Sequence, residues 1–236
     1  MNSSPFFRYR YPARFVRLMV ELVLFGLSSA LNLRSLLGNS PWNAFHEGIS
    51  IMTGVSIGRV AQLVGALIIF IDIVFKEPIG FGTIANMLVI GGTMDLILET
   101  GLLPESASLP VRILMLAGSI VCVAFGSWLY MSAGMGAGPR DSLMVGLAKR
   151  FPKLSVGTIR NAMELSVLVV GWLMGGLVGF GTVAFSLLAG PTMQWVFRTF
   201  HYDVRTTHAE SFVDTFGVWS GRIDPARWSA GEETAE

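Results

Sequence analysis

Six stretches of this chain stay apolar long enough to set its architecture: 15–36, 56–75, 79–103, 112–133, 156–176 and 178–200. A bilayer core of about 30 Å takes roughly 20 mostly apolar residues as helix, so each window predicts one transmembrane helix. The third is long enough to tilt, and the last two join through a tight turn at Gly175, Gly176 and Gly179. Two further segments, 41–53 and 139–151, are too short and too polar to cross. Pro41 and Pro139 suit the first turn of a helix, where no N–H need be donated, and Ser40 suits a cap. In the first segment Trp42, Phe45, Ile49 and Met52 recur at helical spacing opposite Asn43, His46, Glu47 and Ser50; in the second, Leu143, Leu147 and Phe151 do so against Lys149 and Arg150. Each predicts a short amphipathic helix, either lying flat on the membrane surface or dipping into it as a re-entrant element.

Composition agrees with the pattern. Of 236 residues, 52% are hydrophobic and 14% charged, well below the roughly 25% charge of soluble chains. The mean hydropathy is +0.60. Disordered, collagen-like and disulfide-stapled classes are excluded, and the single Cys122 cannot form an internal disulfide. A net charge of +1 carries no preference for nucleic acid, which is not expected as a partner.

The placement of charge says more than its sum. Fourteen of the seventeen Lys and Arg residues fall on one side of the six windows, leaving Arg34, Arg59 and Arg112 on the other. Such an excess marks the cytoplasmic side, so both termini are expected there and the number of spans is expected to be even. Residues 1–14 then form a cytoplasmic N-terminal segment, with Phe6, Phe7, Tyr9, Arg10 and Tyr11 at headgroup level. Residues 201–236, which lose the apolar run, form a mobile cytoplasmic tail in which Trp219 and Trp228 could mark a short interfacial helix or a contact.

The chain also repeats itself at an offset of 98 to 99 residues. Gly38-Asn39-Ser40-Pro41-Trp42-Asn43 aligns with Gly136-Ala137-Gly138-Pro139-Arg140-Asp141, and Gly48 with Gly146. Ser56-Ile57-Gly58 aligns with Ser155-Val156-Gly157, and Gly80-Phe81-Gly82-Thr83 with Gly179-Phe180-Gly181-Thr182. Residues 15–103 and 104–200 are thus two membrane repeats of three spans each. An odd number of spans per repeat means the second enters from the opposite side. The expected fold is all-α: a polytopic membrane helical bundle of about six transmembrane helices in two inverted three-helix repeats, each with one short helix. Inverted repeats recur in secondary transporters and channels, with sites near the midplane.

Candidate chemistry follows from depth. If the short helices are re-entrant, their N-termini, each with a partial positive charge, converge on one cavity and favour an anionic group. The substrate-binding candidates there are Trp42, Asn43, Pro139, Arg140 and Asp141, with Arg140 supplying a full charge and Trp42 an aromatic wall, while Asp141 and Glu47 partly cancel the field. In the fifth window Glu164 lies roughly 12 Å from the helix start, near the midplane, with Arg160 one turn earlier. Those two form either an intrahelical ion pair or, with Asn161, part of the lining. Asp72, Asp95 and Glu21 are expected to reach an interface. Gly91-Gly92 and Gly190-Pro191 fall at matching mid-helix positions and are candidates for helix breaks.

The paired Gly-x-x-Pro-Trp-Asn and Gly-x-Gly-Pro-Arg-Asp segments, each followed by Ser-[Ile/Val]-Gly and then Gly-Phe-Gly-Thr, resemble the bacterial YczE-type membrane proteins, relatives of the YyaS and YitT group. The resemblance covers about residues 16–200. Such proteins usually carry Asp after Pro-Trp, where this chain has Asn43. The resemblance implies an integral inner-membrane protein of transporter-like character and names no substrate.

Together these observations lead to the expectation of a secondary transporter or facilitator of a small polar solute, with an anionic one suiting the helix dipoles, or alternatively of a non-transporting scaffold acting through its cytoplasmic loop and tail. Enzymatic activity is not expected. His46, His201 and His208 have no metal-ligand spacing, no metal or cofactor is implied, and phosphate-loop and dinucleotide fingerprints are missing. The lipid bilayer is the expected partner, and a homo-oligomer stays open.

Overall fold

The computed structural model describes residues 11–104, 108–202 and 209–224. Among these it is entirely helical, with α1 Tyr11–Ser35, α2 Pro41–Thr53, α3 Ile57–Phe75, α4 Phe81–Glu99, α5 Leu109–Ala133, α6 Pro139–Arg150, α7 Val156–Leu173, α8 Phe180–Thr199 and α9 Phe212–Trp219. Each of the six apolar windows becomes one helix, and the two proline-led segments become α2 and α6. Five helices, α1, α3, α4, α5 and α7, are long and apolar enough to cross a membrane. The sixth expected span, α8, has 20 residues but falls outside that set, because Gly190, Pro191, Thr192 and Gln194 dilute its apolar character. Large apolar side chains such as Leu63, Leu67, Phe70 and Ile73 stand exposed along the outer face of α3. An apolar patch of that extent suits lipid rather than water.

Helices α1 and α5 pack along one another at the centre. The fourth helix lies on the first (α4 on α1) and the eighth on the fifth (α8 on α5), while each short helix crosses over, α2 packing on α7 and α6 on α3. The identical Gly-Phe-Gly-Thr runs lock these crossings. Gly80 N–H donates to Thr83 Oγ1 at 3.1 Å, and Gly179 N–H to Thr182 Oγ1 at 3.1 Å, which satisfies a donor that every helix start leaves unpaired. The next glycine reaches across: Gly82 N–H donates to Met135 O at 2.7 Å and Gly181 N–H to Leu37 O at 2.6 Å. Thus the start of α4 rests on the loop before α6, and the start of α8 on the loop before α2. Gly38 and Gly136 occupy φ values of +119° and +112° at these contacts, where a side chain is strained.

Both expected helix breaks are absent: α4 runs unbroken through Gly91 and Gly92, and α8 through Gly190 and Pro191. Gly91 is instead a packing position, its backbone pressed against Gly58 of α3 so closely that no Cβ fits. Asp95 does not reach an interface freely but caps α3, accepting from Ser56 Oγ at 2.6 Å, Gly58 N at 2.7 Å and Arg59 N at 3.2 Å. A carboxylate at a helix N-terminus meets the positive end of the dipole. Glu21 and Asp72 are fully buried within the protein, and their carboxylate oxygens have no hydrogen-bond partner among the described residues. Glu21 sits where α1 meets α5, beside Gly126.

The tail, expected to be mobile from residue 201, carries an ordered element. Phe212 N–H donates to Ile79 O at 2.8 Å and Glu210 N–H to Gly134 O at 3.0 Å. The Glu210 carboxylate is buried and accepts from Tyr11 Oη at 2.8 Å and from Arg14, whose guanidinium also donates to Ala133 O at 2.7 Å and Gly134 O at 2.8 Å. Helix α9 then lays Phe212 against Phe81, ring centroids 4.5 Å apart, and Trp219 against Tyr11 at 5.7 Å. Apolar burial and a buried ion pair fasten this segment, features that an averaged polarity hides. Tyr11 takes part in that contact; Phe6, Phe7, Tyr9, Arg10 and Trp228 lie outside the described residues.

Candidate functional site

The two short helices begin alike and open on the same space. Ser40 and Gly138 precede them without any side-chain cap, so first-turn N–H groups keep their capacity and partial positive charge. Residues of the first helix in each repeat hold these starts in place. Asn32 Oδ1 in α1 accepts from Ser40 N at 2.8 Å and from Asn43 Nδ2 at 3.1 Å, and at the repeat-equivalent position Tyr130 in α5 sets its hydroxyl against Gly138.

Between them lies a cavity of about 820 Å³, within the range of about 300–1,000 Å³ that small-molecule sites occupy. All eight substrate-binding candidates line it: Trp42, Asn43, Pro139, Arg140, Asp141, Arg160, Asn161 and Glu164. Of the helix-break candidates, Gly91 and Gly190 reach its wall, whereas Gly92 and Pro191 do not. Glu47 is not part of the lining, accepting instead from Asn39 Nδ2 at 2.8 Å and Leu177 N at 2.5 Å.

Trp42 and Arg140, equivalent positions of the two repeats, meet each other. The Arg140 guanidinium carbon stands 4.1 Å from the centroid of the Trp42 ring, a cation–π distance. The intrahelical Arg160–Glu164 pair is not made, and no ion pair joins any two of Arg140, Asp141, Arg160 and Glu164. These four nonetheless interact electrostatically across the cavity, with Arg140 acting on Asp141 and Glu164 and Arg160 on the same two acids. They sum to no net charge.

One polar lining group was not legible as a candidate. His46 is 1% exposed, lines the cavity, and has no hydrogen-bond partner on either ring nitrogen among the described residues. Its signal was available: it follows Trp42 by four positions and Asn43 by three, which on a helix is one face. That face is buried, while Ile51 and Met52 are exposed, the reverse of a surface amphipathic helix with its polar side to water. Six methionines, Met87, Met94, Met131, Met144, Met163 and Met193, complete much of the wall. Their flexible thioethers suit an adaptable apolar surface. Among the described residues no group of three or more His, Cys, Asp or Glu is placed to hold a metal ion.

Comparison with known proteins agrees with the motif resemblance to the YczE-type proteins. The chain is 35% identical over 170 residues to the "Uncharacterized membrane protein YczE" of Bacillus subtilis, covering 72% of this chain and 77% of that one. It is 35% identical over 178 residues to an "Uncharacterized protein" of Haemophilus influenzae, covering 75% and 80%. It is 22% identical over 174 residues to the "Uncharacterized protein YyaS" of Bacillus subtilis, covering 72% and 86%. No solved structure matches. Residues 12–198 match the family of unknown function DUF6198, and this membrane protein belongs to that family.

Proposed function

We propose that the chain is a secondary transporter or facilitator of a small polar solute bearing an anionic group, in the bacterial inner membrane, working by alternating access. The observation that carries this reading is the cavity on which two uncapped helix N-termini and four charges in no direct ion pair open together. Ionisable side chains inside a membrane-spanning chain are costly and are functional candidates by default. Two inverted repeats, α1–α4 and α5–α8, account for the arrangement, with α8 as the sixth span and both short helices re-entrant from opposite faces. In support, two contacts of one half recur in the other, α1 on α4 with α5 on α8, and α2 on α7 with α6 on α3, although α3 packs on α4 while α7 hardly touches α8. Rocking one half against the other about the central α1–α5 pair would expose the cavity to each side in turn. The charge partition favours cytoplasmic termini.

Uptake into proteoliposomes, screened over small solutes for the native chain, Arg140→Ala and Glu164→Gln, tests the proposal. Saturable uptake lost in both variants supports it; uptake indifferent to both removes these residues from any mechanism. A second reading, a scaffold, draws on the docked tail, which lies beyond the residues matching the family. It requires that truncation after residue 200 abolish the cellular phenotype while cavity substitutions leave it intact.

A further inference from the structure

The charges of the cavity restrict its occupant further, on the premise that the cavity is a solute site. Two cations and two anions line it without direct pairing, so the lining is neutral as a whole. A simple anion would satisfy Arg140 and Arg160 and leave a negative surplus on Asp141 and Glu164, whereas a simple cation would do the opposite. A solute carrying both charges meets both sets with no surplus, the charge complementarity that gives a site its specificity.

Arg140 lies over Trp42 beside the first turn of α2, whose free N–H groups add positive potential. Asp141 and Glu164 lie on α6 and α7, each within electrostatic reach of both Arg160 and Arg140. His46, buried without a hydrogen-bond partner and facing the same space, independently points to a ligand that supplies one, because an orphaned buried polar group is uncommon in a finished core. The methionine wall and the volume of about 820 Å³ leave room for an apolar body rather than a second polar one.

We propose that the cavity takes a zwitterionic amino carboxylate with an apolar side chain, its carboxylate at Arg140 and the first turn of α2, its ammonium group between Asp141 and Glu164, and its side chain against the methionines. His46 hydrogen-bonds the carboxylate end.

Calorimetric titration of the full-length protein in lipid nanodiscs tests this. The probes are L-leucine and L-phenylalanine, each beside its deaminated acid (isocaproate, hydrocinnamate) and its decarboxylated amine (isoamylamine, phenethylamine). The expected result is that at least one amino acid binds about tenfold or more tightly than both of its one-charge analogues, since each lost charge-assisted contact is worth about a factor of ten. Arg140→Ala should abolish the preference over the amine, and Glu164→Gln the preference over the acid. Acids binding as tightly as amino acids would overturn the inference while leaving transport of an anion standing. Absence of binding by all six probes would overturn it as well, with the uptake screen deciding separately whether the chain transports.

Discussion

Replacing Gly136 by alanine adds a methyl group at a crowded crossing of two backbones. The residue has φ +112°, and a Cβ built there would stand 2.8 Å from Gly80 Cα. Gly80 cannot retreat, because its own position is bounded by Met135 O and by Glu210 O of the docked tail. Two costs therefore add. Forcing an L residue into left-handed backbone costs about 1–2 kcal/mol, and overpacking a site that cannot relax costs a further ~1–3 kcal/mol, for a loss of about 2–5 kcal/mol. Gly54 separates the two contributions. It also has positive φ, +71°, but a methyl group added there would meet nothing within 4 Å, so Gly54→Ala should show the backbone cost alone, about 1–2 kcal/mol. Gly38→Ala, whose Cβ would stand 2.6 Å from Gly179 N, should behave like Gly136→Ala. The measurement is thermal unfolding of the purified variants in one detergent, followed by circular dichroism. Equal midpoints for Gly136→Ala and Gly54→Ala would refute the claim that loop-to-helix contacts between the repeats hold the fold.

Three further changes probe other parts of the structure. Glu210→Gln removes the counter-charge of the Arg14 guanidinium, which keeps its bonds to Ala133 O and Gly134 O; the loss should fall at the low end of the ~3–5 kcal/mol for breaking a buried pair, since Arg14 keeps 18% of its surface, and trypsin should then cut faster between α8 and α9. Asp95→Ala removes three hydrogen bonds from the start of α3 and should lower stability by ~1–2 kcal/mol, an effect visible as a drop in unfolding midpoint that Asp95→Asn only partly reproduces. Thr83→Val should cost more than Thr182→Val by about 1 kcal/mol, because Thr83 Oγ1 also donates to Ala137 O at 2.6 Å; equal midpoints would show that this extra bond contributes nothing.

Much of this protein was legible along the chain. Helix positions follow from the length of apolar runs, which depends only on local sequence, and α2 and α6 from the proline that opens each. The 98-residue offset between Trp42-Asn43 and Arg140-Asp141 already marked the two segments that share the cavity, since duplicated sequence folds to equivalent places. What did not follow is where each polar group turns. Glu47 and His46 are neighbours on one short helix, yet Glu47 ties down Leu177 and Asn39 while His46 faces the cavity without a partner. Gly91 looked like a break and is a contact with Gly58; Glu210 looked like a residue of a polar tail and is the buried partner of Arg14 and Tyr11. Local sequence thus determined which stretches become helices but not their ends, since α1 begins at Tyr11 rather than 15 and α4 stops at Glu99 rather than 103; element type depends on periodicity and backbone chemistry within a few residues. Only the tertiary structure decided which charges pair, which stay apart around a cavity and which segment closes over Gly134, because those outcomes depend on residues up to about two hundred positions apart being brought within 3 Å, as Tyr11 and Glu210 are.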